Sequence, residues 1–162
     1  MTDYVISISE TKSGLSATAT LFPDKAPENV AFLLRYLETR RTIPSIHAMW
    51  TGPEISCPVP VADIEGKCFA RALPLENSTI SPQPGDIVLS YLPARVWGGG
   101  PSPVFDIGLF YGPHGRLFFP VGWLAGSVIG RVETDSIEHL AAACSKIRRS
   151  GACDIVFERL EK

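Results

Sequence analysis

Leu15, Ala17, Ala19 and Leu21 alternate with Ser16, Thr18 and Thr20, the period-two pattern of a strand with one buried face. That strand runs straight into Phe22-Pro23-Asp24-Lys25-Ala26-Pro27-Glu28-Asn29-Val30, a Pro/Asp turn that opens a helix. Pro27 suits a first helical turn, where its missing N–H has no intrahelical partner to lose. Glu28 then falls near the positive end of the helix dipole. Val30, Leu33, Leu34 and Leu37 follow at the spacing of one apolar helix face, which leaves Arg35, Glu38, Arg40 and Arg41 for solvent.

The remainder reads as strands. Tyr4, Ile6 and Ile8 alternate with polar neighbours, and Ser13-Gly14 turns them back into Leu15–Leu21 as a hairpin. From Thr42 to Phe69 the pattern is two broken strands, Ile43–Trp50 and Ile55–Val61, with Gly52-Pro53 between them. Leu73–Gly85 is a loop rich in Pro, Ser, Thr and Asn, and Asp86–Leu92 is a strand. Gly98-Gly99-Gly100 marks a flexible loop, because no helix start follows it as a phosphate cradle needs. Val104–Tyr111, Leu117–Val121 and Val128–Val132 read as further strands, and Asp154–Leu160 closes the chain. A second helix begins at Asp135-Ser136 with Glu138 at capping-box spacing, buries Ile137, Leu140, Ala141, Cys144 and Ile147, and stops at Gly151. Strand runs with two helices that do not alternate β-α-β point to a mainly β fold, a closed barrel of about eight strands with two capping α-helices, over a parallel sheet. No repeat or second domain breaks residues 1–162, so a single domain is expected.

Composition narrows the function. A net charge of −2 gives no general attraction for nucleic acid or anionic membranes. The basic run Lys146, Arg148, Arg149 falls in a helix's last turn, where cations complement the dipole. Cys57, Cys68, Cys144 and Cys153 form no C-x-x-C pair and have no His at ligand spacing, so no metal and no cofactor is expected. Met1-Thr2-Asp3-Tyr4 leads directly into a strand pattern without a basic-then-apolar leader. The expectation is a cytoplasmic protein with four reduced thiols, no membrane partner, and homo-oligomerisation left open.

Four segments resemble the cyclophilin fold in chain order: Leu21–Val30, Ser45-Ile46-His47-Ala48, Gly85-Asp86-Ile87-Val88-Leu89-Ser90, and Trp123-Leu124 before Ile129-Gly130-Arg131-Val132. The resemblance implies a cyclophilin-like barrel with its pocket floored by Trp123. Prolyl isomerases of that family carry Phe-His-Arg where this chain has Ile46-His47-Ala48. The arginine there donates to the twisting amide, and a methyl cannot. The sequence is more similar to a bacterial domain-of-unknown-function family of shortened cyclophilin-like proteins. That likeness rests on Leu75-Glu76-Asn77-Ser78-Thr79, Pro84-Gly85-Asp86, Val121-Gly122-Trp123-Leu124-Ala125-Gly126 and Ser150-Gly151-Ala152. It implies fold and pocket position, and no reaction.

Candidate ligand-binding residues are His47, Trp50, Glu54, Arg95, Tyr111 and Trp123. His47, Trp50 and Glu54 bracket the Gly52-Pro53 break, where a histidine and a carboxylate can form an acid–base pair. Trp97, Trp123, Phe105, Phe118, Phe119 and Tyr111 supply aromatic walls for a planar ligand. Arg95 and Arg116 could pair with a carboxylate or imide oxygen. Asp106, mid-strand, needs either solvent or a partner. His114 reads as a turn tip, and Gly126-Ser127-Val128-Ile129-Gly130 is not a nucleophile elbow. The leading expectation is an aromatic pocket for a small polar or cyclic amide or imide metabolite, without prolyl isomerase chemistry. Its rivals are a weak prolyl isomerase or proline-peptide binder, and a non-catalytic interaction subunit.

Overall fold

Period-two strands dominate the computed structural model, which describes residues 4–64 and 71–160. In chain order the elements are β1 (Val5–Glu10), β2 (Leu15–Leu21), α1 (Pro27–Tyr36), β3 (Arg41–His47), β4 (Glu54–Pro58) and α2 (Val61–Ile64). There follow β5 (Ser78–Thr79), β6 (Asp86–Leu92), β7 (Val104–Phe110), β8 (Phe118–Phe119), β9 (Gly122–Trp123), β10 (Gly126–Val132), α3 (Ile137–Ser150) and β11 (Ala152–Leu160). Strands β2-β1-β11-β3-β4-β7-β6-β10 lie side by side, and β10 pairs back onto β2, so eight antiparallel strands close into a barrel. Eight strands leave an interior just wide enough for side chains to fill. Here Ile8, Ile43, Ile55, Ile107, Leu109 and Phe157 fill it, each fully buried.

Closure depends on Gly130. It is paired with Leu21 of β2 on one side and Ile87 of β6 on the other, beside a bulge at Ile129. A Cβ there would stand 2.7 Å from the Thr20 carbonyl oxygen and 2.9 Å from Leu21 Cδ2, a collision no rotamer relieves. Next to it Arg131 and Asp86, directly opposite across β10 and β6, form an ion pair at 2.6 Å.

The helices cap this barrel with small departures from the expected faces. In α1, Phe32 and Tyr36 join Val30, Leu33 and Leu37 in the core while Leu34 is only partly buried. Phe32 stacks on Phe105 of β7 with ring centroids 4.8 Å apart. The α1 N-terminus takes its cap from a distant loop. The Glu76 carboxylate accepts the backbone N–H groups of Glu28 (3.2 Å) and Asn29 (3.0 Å) and the Asn29 side-chain amide (2.8 Å). The capping box expected at Asp135 and Glu138 does not form. A 3-10 turn over Thr134–Ser136 leads into α3 instead, without a side-chain cap. Leu140, Ala143, Cys144 and Ile147 are its buried residues, and Gly151 ends it at φ +81°.

Three strand expectations shorten: Ile55–Val61 ends at Pro58, and Val61 instead opens the short helix α2. Ile43–Trp50 ends at His47, and Leu117–Val121 becomes the small β8–β9 hairpin, separate from the barrel and turned at Gly122 with φ +109°. Cys68, and the end of the Thr42–Phe69 stretch, lie outside the described residues. Cys57, Cys144 and Cys153 are free thiols. Among the described residues no helix is long and apolar enough to cross a membrane.

Leu37, 2% exposed at the end of α1, should be a sensitive core position. Leu37→Ala should cost about 2–5 kcal/mol through the cavity it opens, measured by urea unfolding. A loss under about 0.5 kcal/mol, the usual range for surface substitutions, would show that this end of the helix is not packed as described.

Candidate functional site

Strand alternation sorts polar from apolar along β4 and β7. Ile55 and Cys57 face the barrel core opposite Leu109 and Ile107. The intervening residues Glu54, Ser56 and Pro58, with Asp106, Gly108 and Phe110, face outward. A second, smaller apolar cluster of Val88, Phe110, Leu117 and Val128, with Phe119 against it, covers part of this outer face. Beside it lies a cavity of about 160 Å³.

Its floor is polar. Glu54, Ser56, Asp106 and Thr51 line it, together with the methyl of Ala48. Its walls are Met49, Trp50, Trp97 and Phe119. Trp97 stands edge-on to both Trp50 (6.1 Å) and Phe119 (6.0 Å), so three rings form one continuous aromatic surface. The triple glycine is what brings Trp97 there. Gly98 and Gly99 hold φ +60° and +71°, and hydrogen bonds from Arg95 N–H to Gly100 O (2.8 Å) and Gly100 N–H to Trp97 O (3.2 Å) close a compact loop.

Glu54 is 3% exposed. The Thr51 hydroxyl donates to its Oε2, and among the described residues its Oε1 has no hydrogen-bond partner. Among the described residues every fully buried side-chain nitrogen or oxygen has a partner, so Oε1 is the part of Glu54 that opens onto the cavity. It also lies where a side chain at 108 would be: a Cβ on Gly108 would collide with Oε1. Asp106 is partly buried and accepts a hydrogen bond from the Ser56 hydroxyl at 2.8 Å. Burial, and then repulsion from Asp106, push the Glu54 carboxyl up to about 8 against the opposing Thr51 hydrogen bond. Burial raises Asp106 to about 6, held back by the Ser56 hydroxyl and the Cys57 backbone N–H. Burial therefore favours the neutral, hydrogen-bond-donating form of both carboxyl groups, and repulsion from Asp106 adds to that at Glu54.

The 50–54 turn fixes this geometry. Gly52 at φ +91° lets Glu54 N–H reach the Gly52 carbonyl (2.9 Å). Arg116 N–H donates to Thr51 O and Tyr111 N–H to Pro53 O, both at 3.0 Å.

The expected candidates separate into two groups. Trp50 and Glu54 line the cavity; His47, Arg95, Tyr111 and Trp123 do not. His47 pairs with Ile55 in register and so faces the opposite side of the sheet from Glu54. Its Nδ1–H donates to the Ala48 carbonyl (2.9 Å) and its Nε2 accepts from the Tyr111 hydroxyl (2.7 Å). Burial lowers its pKa, which suits that neutral tautomer. His47 and Glu54 therefore lie on opposite sides of the sheet, and the titratable group that shares Glu54's outward face is Asp106. Arg95 is exposed on the glycine loop at φ +75°. Trp123 is 56% exposed and packs on Phe118, outside the cavity. Sequence reasoning missed the roles of Thr51, Ser56 and Gly108. The available signal was alternation: Glu54-x-Ser56 and Asp106-x-Gly108 each put polar or small residues on one strand face. Among the described residues no group of three or more His, Cys, Asp or Glu is placed to hold a metal.

Fold and cavity together define a closed antiparallel barrel with an acid pair under an aromatic wall on its outer face. Residues 8–159 match the family described as protein of unknown function DUF3830, and the chain belongs to that family. Among solved structures, McbB in complex with tryptophan aligns with 97% of this chain at 15% identity and a TM-score of 0.60. The alignment takes in 45% of McbB, so this chain spans less than half that protein's length. The hypothetical protein AF2241 from Archaeoglobus fulgidus aligns with 98% of this chain and 95% of its own, at 18% identity and a TM-score of 0.53. Both likenesses are of fold. No curated protein matches the sequence.

The raised Glu54 carboxyl has a consequence for stability. Between the ordinary value of 4.5 and about 8 the folded protein keeps a proton that the unfolded chain has released, so stability falls as pH rises through that interval. Neutral His47 acts in the opposite sense below 6.5, where only the unfolded chain has its histidine protonated. The Glu54 effect should therefore be cleanest from about pH 6.5 to 8. The urea midpoint should drop across that window in the parent protein and stay level in Glu54→Gln. An equal slope in both proteins would show that Glu54 does not titrate there.

Proposed function

We propose that this protein is a small-molecule-binding barrel of cyclophilin-like type, lacking prolyl isomerase chemistry. Its outer cavity takes a planar ring that carries an amide or imide edge. The observation that supports this reading is the Glu54–Asp106 pair lying beneath Trp50, Trp97 and Phe119. Flat rings gain contact area on aromatic walls at little entropic cost. An amide edge presents a carbonyl acceptor beside an N–H donor, and a carboxylic acid beside a carboxylate is the complementary arrangement. The tryptophan bound to McbB is itself a planar ring bearing an N–H, and supports a ligand of this shape. Ala48 lines the cavity with a methyl, which cannot donate to a twisting prolyl amide. That argues against an isomerase.

A thermal-shift screen of cyclic imides, aromatic amino acids, small carboxylates and proline peptides tests this. A specific ligand at a hundredfold excess over its Kd stabilises the native state by about 2.7 kcal/mol. The expected hits are planar imides or aromatic N–H compounds, with the shift removed by Trp97→Ala and kept by Trp123→Ala. Isomerisation of a proline tetrapeptide should keep its uncatalysed time of about tens to hundreds of seconds. Clear acceleration, or a shift lost in Trp123→Ala but kept in Trp97→Ala, would contradict the proposal.

A further inference from the structure

We infer that Glu54 and Asp106 are catalytic residues that open a cyclic imide or amide by hydrolysis. This inference rests on the ligand reading above. Four features of the cavity support it. The two carboxyl groups share one outward face of adjacent strands, where β4 and β7 pair. Each is oriented by one hydroxyl, Thr51 on Glu54 and Ser56 on Asp106, so neither is free to swing away. Glu54 lines the cavity on a side chain that is otherwise buried, and its Oε1 has no partner among the described residues. Finally, the cavity lies on the barrel's outer face, within reach of solvent water.

The reaction balances with water as the sole co-reactant. Ionised Asp106 takes a proton from a water molecule as its oxygen bonds to the imide carbon. Protonated Glu54 gives its proton to the carbonyl oxygen, whose π pair moves onto oxygen. In the tetrahedral intermediate the C–N bond then breaks, and nitrogen receives the proton held by Asp106. The new hydroxyl proton returns to Glu54, and the C=O bond re-forms. The product is an acid amide, and the pair ends in its starting protonation state. An acid and a base poised side by side is the arrangement two carboxyl groups reach when their charges repel. Gly108 is a positioning residue here, since any Cβ at that site would displace Glu54 Oε1.

Phthalimide and 5-phenylhydantoin are suitable probes, with ring opening followed by chromatography and binding by thermal shift on the same samples. The parent protein should open at least one probe, with one solvent oxygen entering the new carboxylate from ¹⁸O-labelled water. Glu54→Gln and Asp106→Asn should each slow turnover by about 10²-fold or more while retaining a thermal shift, which also reports that the variants are folded. Probes that bind but open no faster than in buffer, or variants as active as the parent, would overturn the hydrolytic inference and leave the ligand reading standing. If neither probe binds the folded parent, the imide-ligand reading fails, and hydrolysis with it.

Discussion

Barrel closure is the constraint from which the rest follows. It is made by three residue pairs between β2 and β10: Leu21 with Gly130, Thr20 with Arg131, and Ala19 with Val132. Without a side chain at 130, β10 can approach β2 and β6 together. Eight closed strands leave an interior wide enough for side chains or for one small ligand, and this one is filled by isoleucine, leucine and phenylalanine. The cavity lies instead on the outer face, where alternate residues of β4 and β7 meet the loops that cross them.

The outer face then needs its own cover. The 93–103 loop brings in Trp97, the β8–β9 hairpin brings in Phe119, and the turn after β3 brings in Trp50. Together they lower the polarity around two carboxyl groups that line one cavity. A buried carboxylate is costly, and in practice it shifts its pKa and stays neutral. The molecule retains that arrangement at Glu54 with space left by Gly108 for Oε1 and a threonine hydroxyl on Oε2, so the cost to stability near neutral pH is built into the site.

Much of the fold was legible because period-two alternation is a direct imprint of a sheet with one buried face. Asp86–Leu92 and Leu15–Leu21 have the extents read from sequence, and Pro27 begins its helix as its chemistry requires. The faces of the helices were read less well, because Phe32 and Tyr36 are drawn inward by Phe105 and Asp63, partners distant in sequence. The site was half legible. Trp50 and Glu54 were singled out by the Gly-Pro break between them, and both line the cavity. His47 looked like Glu54's partner because it is close in sequence. Yet register sets His47 opposite Ile55, and one residue of alternation turns it to the other side of the sheet. Asp106 comes to share Glu54's outward face only through the pairing of β4 with β7, which no local pattern encodes. Trp123 was expected at the cavity by resemblance alone, and the turn at Gly122 leaves it on the separate hairpin, packed on Phe118.

The central claim is that Glu54 and Asp106 form an interacting pair, with Glu54 protonated near neutral pH. Carbon-13 NMR titration of the side-chain carboxyl groups tests it most directly. The account predicts one glutamate carboxyl titrating near 8, absent from Glu54→Gln and shifted downward in Asp106→Asn, where the repelling charge is gone. If every glutamate titrates in the ordinary carboxylate range, or if Asp106→Asn leaves the high value unmoved, the pair does not exist as described.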